Sequence, residues 1–474
     1  MPLTTYAEPM CVEVQSPAKP VEAFSRIVSR RLPFFLDSGM DAKRLGRFSF
    51  LGCEPFLILR AVGHEAILQD AEGRICARGH PFALLRQSLT ACAGPPANAP
   101  VPFVGGAVGC LSYDLCHLIE RLPRTAKSDL SFPSLHMAFY AELLAYDHLE
   151  ERWWVVAWPL DGETARSKRR RLDAMLRLLD DVSESAAPVG VPAPPCMRQV
   201  ARGNFTHEGY CRAVERAREY IFAGDIFQVN LSQRFEVLVA EHPWDVYRVL
   251  RTVNPAPFAA YIDLGGQVMV GASPERFLLV RNGHVVTRPI KGTRRRAGEP
   301  TTDARARAEL LSSTKDRAEL TMIVDLERND LGRVCQYGSV QVTEPIVLEE
   351  YPSVFHLVAT VEGDLHPRHD IVDLLKATFP GGSITGAPKI RAMEIIDELE
   401  PTQRSLYTGS CGYLGFDGSA DLNIVIRTIL MEGRRATFQV GGAIVADSDP
   451  EAEYQETLDK GQRLFAALGA KPPE

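Results

Sequence analysis

The short apolar runs of this 474-residue chain arrive without the regular strand, helix, strand alternation of a doubly wound parallel sheet, and this order limits the fold more than any other feature. It predicts an α+β plan. Val268 to Ala272, Phe277 to Arg281, Ser410 to Phe416, Leu422 to Leu430 and Arg435 to Val445 read as strands. His207 to Ala223, Thr302 to Asp330, Ile371 to Thr378, Ala387 to Leu399 and Pro450 to Leu468 read as helices. Nearer the amino terminus, Phe56 to Val62, Ala138 to Tyr146 and Trp153 to Trp158 are apolar runs set off by Gly, Asp and Pro, which suits antiparallel strands. Glu163 to Asp181 places Leu172, Met175, Leu176 and Leu179 at helical spacing, with Arg169 to Arg171 on a solvated face. No internal repeat is visible.

Two stretches rich in Pro, Ala and Gly interrupt these elements, Ala93 to Pro102 and Ser183 to Pro195. The second reads as the main linker, dividing the chain into an N-terminal region (1–182), a linker (183–199) and a C-terminal region (200–474).

With 53 Lys and Arg against 60 Asp and Glu, the formal net charge is -7. No broad basic surface favours nucleic acid or anionic lipid, so small-molecule chemistry is the default expectation. The start Met1-Pro-Leu-Thr-Thr5 has no basic segment before an apolar run, and Trp153 to Trp158 is too short to span a bilayer. A soluble, cytoplasmic protein is expected. The 10 cysteines contain no CxxC pair and read as reduced core thiols.

Two motifs look catalytic and fail on inspection. Gly381-Gly-Ser-Ile-Thr-Gly-Ala-Pro-Lys389 resembles a phosphate loop, but Ala387 and Pro388 stand where Lys and Ser or Thr would have to follow the second glycine. Gly386 before Pro388 suits a helix start instead. Gly409-Ser-Cys-Gly412 lacks the second glycine of a nucleophile elbow, so no amide-hydrolysing thiol is indicated.

Asp316 and Glu319 lie three apart, as do Glu453 and Glu456, so each pair projects from one helix face. The first pair runs directly into Leu320-Thr-Met-Ile-Val-Asp-Leu326, which predicts a helix buried on most sides. Like charges there need a counter-ion, and a hard divalent cation such as Mg²⁺, completed by water and substrate oxygens, is the natural solution. Lys460, four residues beyond Glu456, either takes a second anionic group or pairs with Glu456.

Four segments then carry a specific resemblance: Pro289-Ile-Lys-Gly-Thr293, Asp316 to Asp330, Gly382 to Arg391, and Gly441-Gly-Ala443 with Glu453 and Glu456. Together they resemble the chorismate-binding enzymes over about residues 200 to 465, with a weaker likeness in the N-terminal third. The resemblance implies one large α+β unit, an antiparallel β-sandwich with surrounding helices like that of anthranilate synthase component I. By the same resemblance Glu319 and Glu456 are the magnesium ligands, with Asp316 and Glu453 supporting them, and the metal grips the ring carboxylate of chorismate. Tyr407, Arg427 and the backbone at Gly441, Gly442 and Ala443 match the groups that hold the enolpyruvyl carboxylate, and Lys460 a further carboxylate contact. His356 matches the active-site histidine, Glu275 the general acid, and Thr293 a residue beside the departing hydroxyl.

Two positions separate branches of the family. Lys291 stands where anthranilate-forming members carry Ala and aminodeoxychorismate-forming members carry a nucleophilic lysine. Gln228 stands where the water-using isochorismate and salicylate enzymes place a basic lysine, so its amide implies a nitrogen nucleophile. The reaction implied is amination of chorismate at C4 through a covalent Lys291 adduct. Lys291 must be neutral to attack, with Mg²⁺ and inward-facing Arg294 to Arg296 as the expected field. No ammonia source is visible in the chain, so a separate glutaminase subunit, component II, is implied. The alternatives are C2 amination with pyruvate elimination, giving anthranilate, and a catalytically idle tryptophan-binding regulatory module. Leu32 to Ser38 and Asn254 to Phe258 are similar to tryptophan-binding segments of the family, with Asp37 and Phe258 in place of the commoner Glu and Tyr.

Overall fold

The computed structural model describes residues 8–160, 162–185, 190, 192, 195, 199–351 and 354–473. Two antiparallel sheets of twelve strands each make the frame. In the first, Phe34–Asp37 joins Phe258–Asp263, so Phe35 lies opposite Tyr261. In the second, Gly106–Leu111 joins Ser410–Gly415, with Cys110 opposite Cys411. Strands from before and after residue 200 therefore share both sheets. The expected linker falls largely outside the described residues, although Gln199 and Val200 already pair with Ala470 and Lys471.

One face of the first sheet packs on the second, where Phe103 bridges Phe50 at 5.5 Å and Tyr413 at 4.2 Å between ring centres. The opposite face of the first sheet is covered by the helices Pro20–Ile27, Ala165–Ser185, Pro243–Val253 and Pro450–Ala467. Helices Pro81–Cys92 and Thr314–Gly332 lie on the second sheet.

Three expected elements are each two. Ala138 to Tyr146 divides into the ends of Leu135–Tyr140 and Glu142–Asp147, and Leu422 to Leu430 into Ala420–Ile424 and Thr428–Glu432. In both cases the chain leaves the second sheet and enters the first. Glu142 and Arg427 stand at the two crossings, but burial of the residues on either side hides the alternation that would show where one strand ends. The long helix breaks at Ser313, whose hydroxyl accepts the Asp316 N–H at 3.2 Å and starts a new helix, Thr314–Gly332. That helix is also less buried than expected: Leu320, Ile323, Val324 and Leu331 face inward, while Arg317, Thr321 and Asp325 face water.

The nine described cysteines form no disulfide, and Cys76 is exposed rather than in the core. Among the described residues no helix is long and apolar enough to cross a membrane.

Candidate functional site

The site assembles where the two sheets meet two helices, Thr314–Gly332 and Pro450–Ala467. Strands Gln228–Leu238 and Arg435–Ile444 run side by side, with Leu231 opposite Gly442 and Asn230 opposite Ala443. Helix Pro450–Ala467 lies across them and brings Glu453, Glu456 and Lys460 to the bare backbone at Gly442. A Cβ there would stand 3.1 Å from Glu453 Oε2 and 3.4 Å from Glu456 Oε1, so glycine is what lets the two acids approach. Glu453 is buried and accepts the Ser448 hydroxyl at 2.6 Å. Of the two options the sequence left open, Lys460 takes the pair with Glu456, at 2.5 Å, and its Nζ also donates to the Gly441 carbonyl at 2.9 Å.

Glu319 faces this group from helix Thr314–Gly332. Burial pushes its carboxyl above the usual range and Asp316 and Glu456 add to that, against the pull of Lys291 and Lys315. Glu456 moves the other way, held down chiefly by Lys460 against the effect of burial. Glu319, Glu453 and Glu456 thus offer hard carboxylate oxygens from two helices, a donor chemistry that fits Mg²⁺. Asp316 is different, because its carboxylate already pairs with Arg294 at 3.2 Å.

Lys291 lies on strand Ile290–Arg295, its Nζ donating to the Ser383 carbonyl at 3.0 Å. Burial pulls its pKa below the ordinary lysine value, while Glu319 and Glu275 oppose that shift and Lys460 favours it. The expected field from Arg294 to Arg296 is absent. Arg294 bonds Glu309 and Asp316, Arg296 bonds Asp303 and the Tyr351 carbonyl, and Arg295 is exposed. Loss of water, rather than neighbouring arginines, tunes this amine.

Glu275 is 5% exposed and sits beside Lys291, accepting the Ile290 N–H at 3.4 Å. Burial raises its pKa, with Ser383 and Lys291 pulling it back, so it holds a proton more readily than an ordinary carboxyl. Across the same ladder Thr293 is paired with His356, Oγ1 lying 2.8 Å from Nδ1. Burial, then the charge of Arg427, lowers the His356 pKa to about 4, so the ring is neutral at ordinary pH.

Arg427 occupies the crossing between sheets with a left-handed φ of 52°. Burial lowers its pKa, with Tyr407 and Glu456 opposing, and its guanidinium makes no hydrogen bond or ion pair among the described residues. Tyr407 is raised by burial and lies near the buried Arg404–Glu400 pair. Gln228 is fully buried, and neither atom of its amide has a partner. A half-buried, unpaired guanidinium and a fully buried, unpaired amide are both costly unless something else bonds them.

Sequence reasoning missed Ser383, which lies in the segment set aside as a failed phosphate loop. Gly386, next along, runs so close to the Gln228 carbonyl that a Cβ would stand 2.3 Å away. It also passed over Glu327, which burial pushes up to about 8 as it accepts the Thr287 hydroxyl at 2.9 Å. Its place in the quoted Asp316 to Asp330 motif was the available signal. Cys411 is buried, with Sγ 3.1 Å from Asn423 Oδ1, consistent with its rejection as a nucleophile.

A separate cavity of about 280 Å³ is lined by Leu36, Asp37, Ser38, Pro257, Phe258 and Arg276, among others. The two segments likened to a tryptophan site meet here. Asp37 is occupied by Arg251, by Tyr247 at 3.0 Å and by Ser49 at 3.0 Å.

The profile of the chorismate binding enzyme family matches residues 45–466, and the chain belongs to that family. Among its relatives, the aminodeoxychorismate synthase component 1 of Klebsiella aerogenes is 40% identical over 446 residues, covering 94% of this chain and 95% of that protein. The anthranilate synthase component 1 of Acetivibrio thermocellus is 37% identical over 470 residues, covering 97% and 95%. The crystal structure of anthranilate synthase component I from Streptococcus pneumoniae superposes with a TM-score of 0.78 at 32% identity, covering 94% of this chain and 97% of that one. The expected anthranilate synthase component I-like α+β fold is therefore the one observed.

Proposed function

We propose that this protein aminates chorismate at C4, using ammonia from a glutaminase partner, to give 4-amino-4-deoxychorismate. Similarity to C4-aminating and anthranilate-forming relatives is nearly equal, so the choice rests on one side chain. Lys291 is a lysine held in a desolvated cleft, anchored to the Ser383 carbonyl and beside a buried acid. That is the setting an amine nucleophile requires.

On this reading the neutral Lys291 amine adds to C2 while the ring double bonds shift and the C4–oxygen bond breaks. Glu275 gives the departing hydroxyl its proton, and Thr293, oriented by neutral His356, lies beside it. Ammonia then adds at C4, the double bonds return, and the bond to Lys291 breaks. Arg427 and Tyr407 take the enolpyruvyl carboxylate, with Lys460 and the backbone at Gly441 to Ala443 alongside. Gln228 directs its free amide toward the incoming nitrogen. Glu319 and Glu456, backed by Glu453 and Asp316, would hold Mg²⁺, which when bound supplies positive charge for the ring carboxylate.

The cavity beside Asp37 supports a second ligand, tryptophan, for which Arg276 lies 4.9 Å over the Phe258 ring at one wall. Calorimetry with millimolar tryptophan tests this, and an absence of heat would reject it.

The main test is product analysis. Protein, chorismate, Mg²⁺ and ammonium are expected to yield a compound that an added lyase converts to p-aminobenzoate, and mass spectrometry of quenched enzyme is expected to show a ring adduct on Lys291. Anthranilate as the main product would overturn the assignment.

A further inference from the structure

Away from this cleft, three side chains of unlike chemistry converge where two helices meet. His207 is the first residue of helix His207–Phe222, and Cys211 lies four residues on, so both face the same side. Glu451 comes from the first turn of helix Pro450–Ala467, which packs along the first. One donor atom from each, an imidazole nitrogen, a thiol sulfur and a carboxylate oxygen, lie within 4.8 Å of one another. Already His207 Nε2 is 2.8 Å from Glu451 Oε2, the His207 ring lies tilted against Tyr454 with 4.4 Å between ring centres, and Cys211 Sγ lies 3.7 Å from the Pro450 carbonyl.

We propose that His207, Cys211 and Glu451 form a binding site for a borderline divalent transition-metal ion, Zn²⁺ above all, which ties helix His207–Phe222 to helix Pro450–Ala467.

The donor chemistry selects the ion. Thiolate and imidazole are poor ligands for Mg²⁺ or Ca²⁺ but suit Zn²⁺, and three protein ligands leave a fourth tetrahedral position for water. Bond lengths of about 2.0–2.3 Å set tetrahedral donors about 3.3–3.7 Å apart, so His207 and Glu451, now 2.8 Å apart, would part slightly and approach Cys211 by roughly 1 Å. Exposed His207 and Glu451 side chains can make that movement. The bond now joining them would give way to two metal bonds. Both helices point their positive ends at this corner, which disfavours a cation. Glu451, Asp449 and Glu215 are close enough for their charges to act on the Cys211 thiol, and they offset that disadvantage. Glu215 is one further turn along the stripe of His207 and Cys211.

The position has a consequence for the cleft. Glu451 begins the helix whose next turns present Glu453 and Glu456, so an ion here fixes the end of the element that carries those acids. None of the three proposed ligands belongs to the cleft, and the proposal holds whichever reaction is run there.

The test uses tag-free, chelator-treated full-length protein in excess Mg²⁺, which fills hard oxygen sites, titrated with Zn²⁺ against a chromophoric chelator and separately with Co²⁺. One equivalent of Zn²⁺ is expected to bind, and Co²⁺ to give the near-ultraviolet charge-transfer band of a thiolate ligand. Cys211→Ser should abolish the band, and His207→Ala and Glu451→Gln should each weaken Zn²⁺ binding at least tenfold, while Cys76→Ser, altering the exposed thiol, changes neither. The unfolding midpoint should rise with Zn²⁺ in the parent but not in Cys211→Ser. No band in the parent, a band surviving in Cys211→Ser, or undiminished Zn²⁺ binding in both His207→Ala and Glu451→Gln would overturn the site.

Discussion

The reaction cleft and the cavity beside Asp37 lie in one sandwich and are lined by similar residue types, yet their charges are handled oppositely. Around the cavity, Asp37 is bonded by Arg251, Tyr247 and Ser49, Arg276 pairs with Asp421 at 2.9 Å, and Arg47 pairs with Asp147 at 2.7 Å. In the cleft, Arg427 has no partner among the described residues, the Gln228 amide is bare, and Lys291 touches only a carbonyl through its amine. Paired charges hold a shape, whereas unpaired buried ones hold a place for a substrate that completes them. One region is built for stability and the other at its expense.

The largest expected effect separates them at once. Lys291→Ala should cut amination by about 1,000-fold, near 4 kcal/mol of transition-state stabilisation, with no loss of thermal stability because a desolvated ammonium disappears. Steady-state rates and a melting curve check both halves. In the other region Asp37→Asn should cost about 3 kcal/mol in denaturant unfolding by leaving Arg251 without its counter-charge, with turnover retained. Loss of turnover at full stability would reverse the comparison.

The third effect is on pH. His356 has a folded-state pKa of about 4 against an ordinary value near 6.5. The unfolded chain binds the extra proton between these values, so stability is full above about pH 6.5 and falls as pH drops toward 4, by about 1.4 kcal/mol per unit. His356→Gln should flatten the stability profile in that window, and an unchanged slope would contradict the assignment. Arg427→Lys should then raise the KM for chorismate about tenfold, because an ammonium lacks the planar pair of donors, while leaving the melting point in place. Smallest of all, Gln228→Leu should stabilise the fold by about 1 kcal/mol while lowering activity. A destabilised variant would show that the amide serves the fold.

Much of the cleft was legible because its residues cluster in four ordered segments. Glu319, Glu456, Glu453, Lys460 and Lys291 face one another as the helical spacings and the family resemblance suggested. Other features were illegible for physical reasons. Asp316 was expected to support Glu319 at the metal, yet Arg294, 22 residues earlier, takes its charge. Ser383 meets Lys291 through its backbone carbonyl, a contact that no side-chain pattern advertises. The crossings near Ala141 and Arg427 lie inside mostly apolar runs interrupted by isolated polar residues such as Glu142 and Arg427, where burial on both sides erases the alternation that marks a strand's end.

The sequence by itself determined the α+β class, most helices and the family, because periodicity and motif order are properties of neighbours along the chain. Only the tertiary structure decided which charges remain unspent. Pairing and loss of water depend on residues brought together from distant segments, and they separate the bare guanidinium of Arg427 from the saturated ones at Arg276 and Arg294.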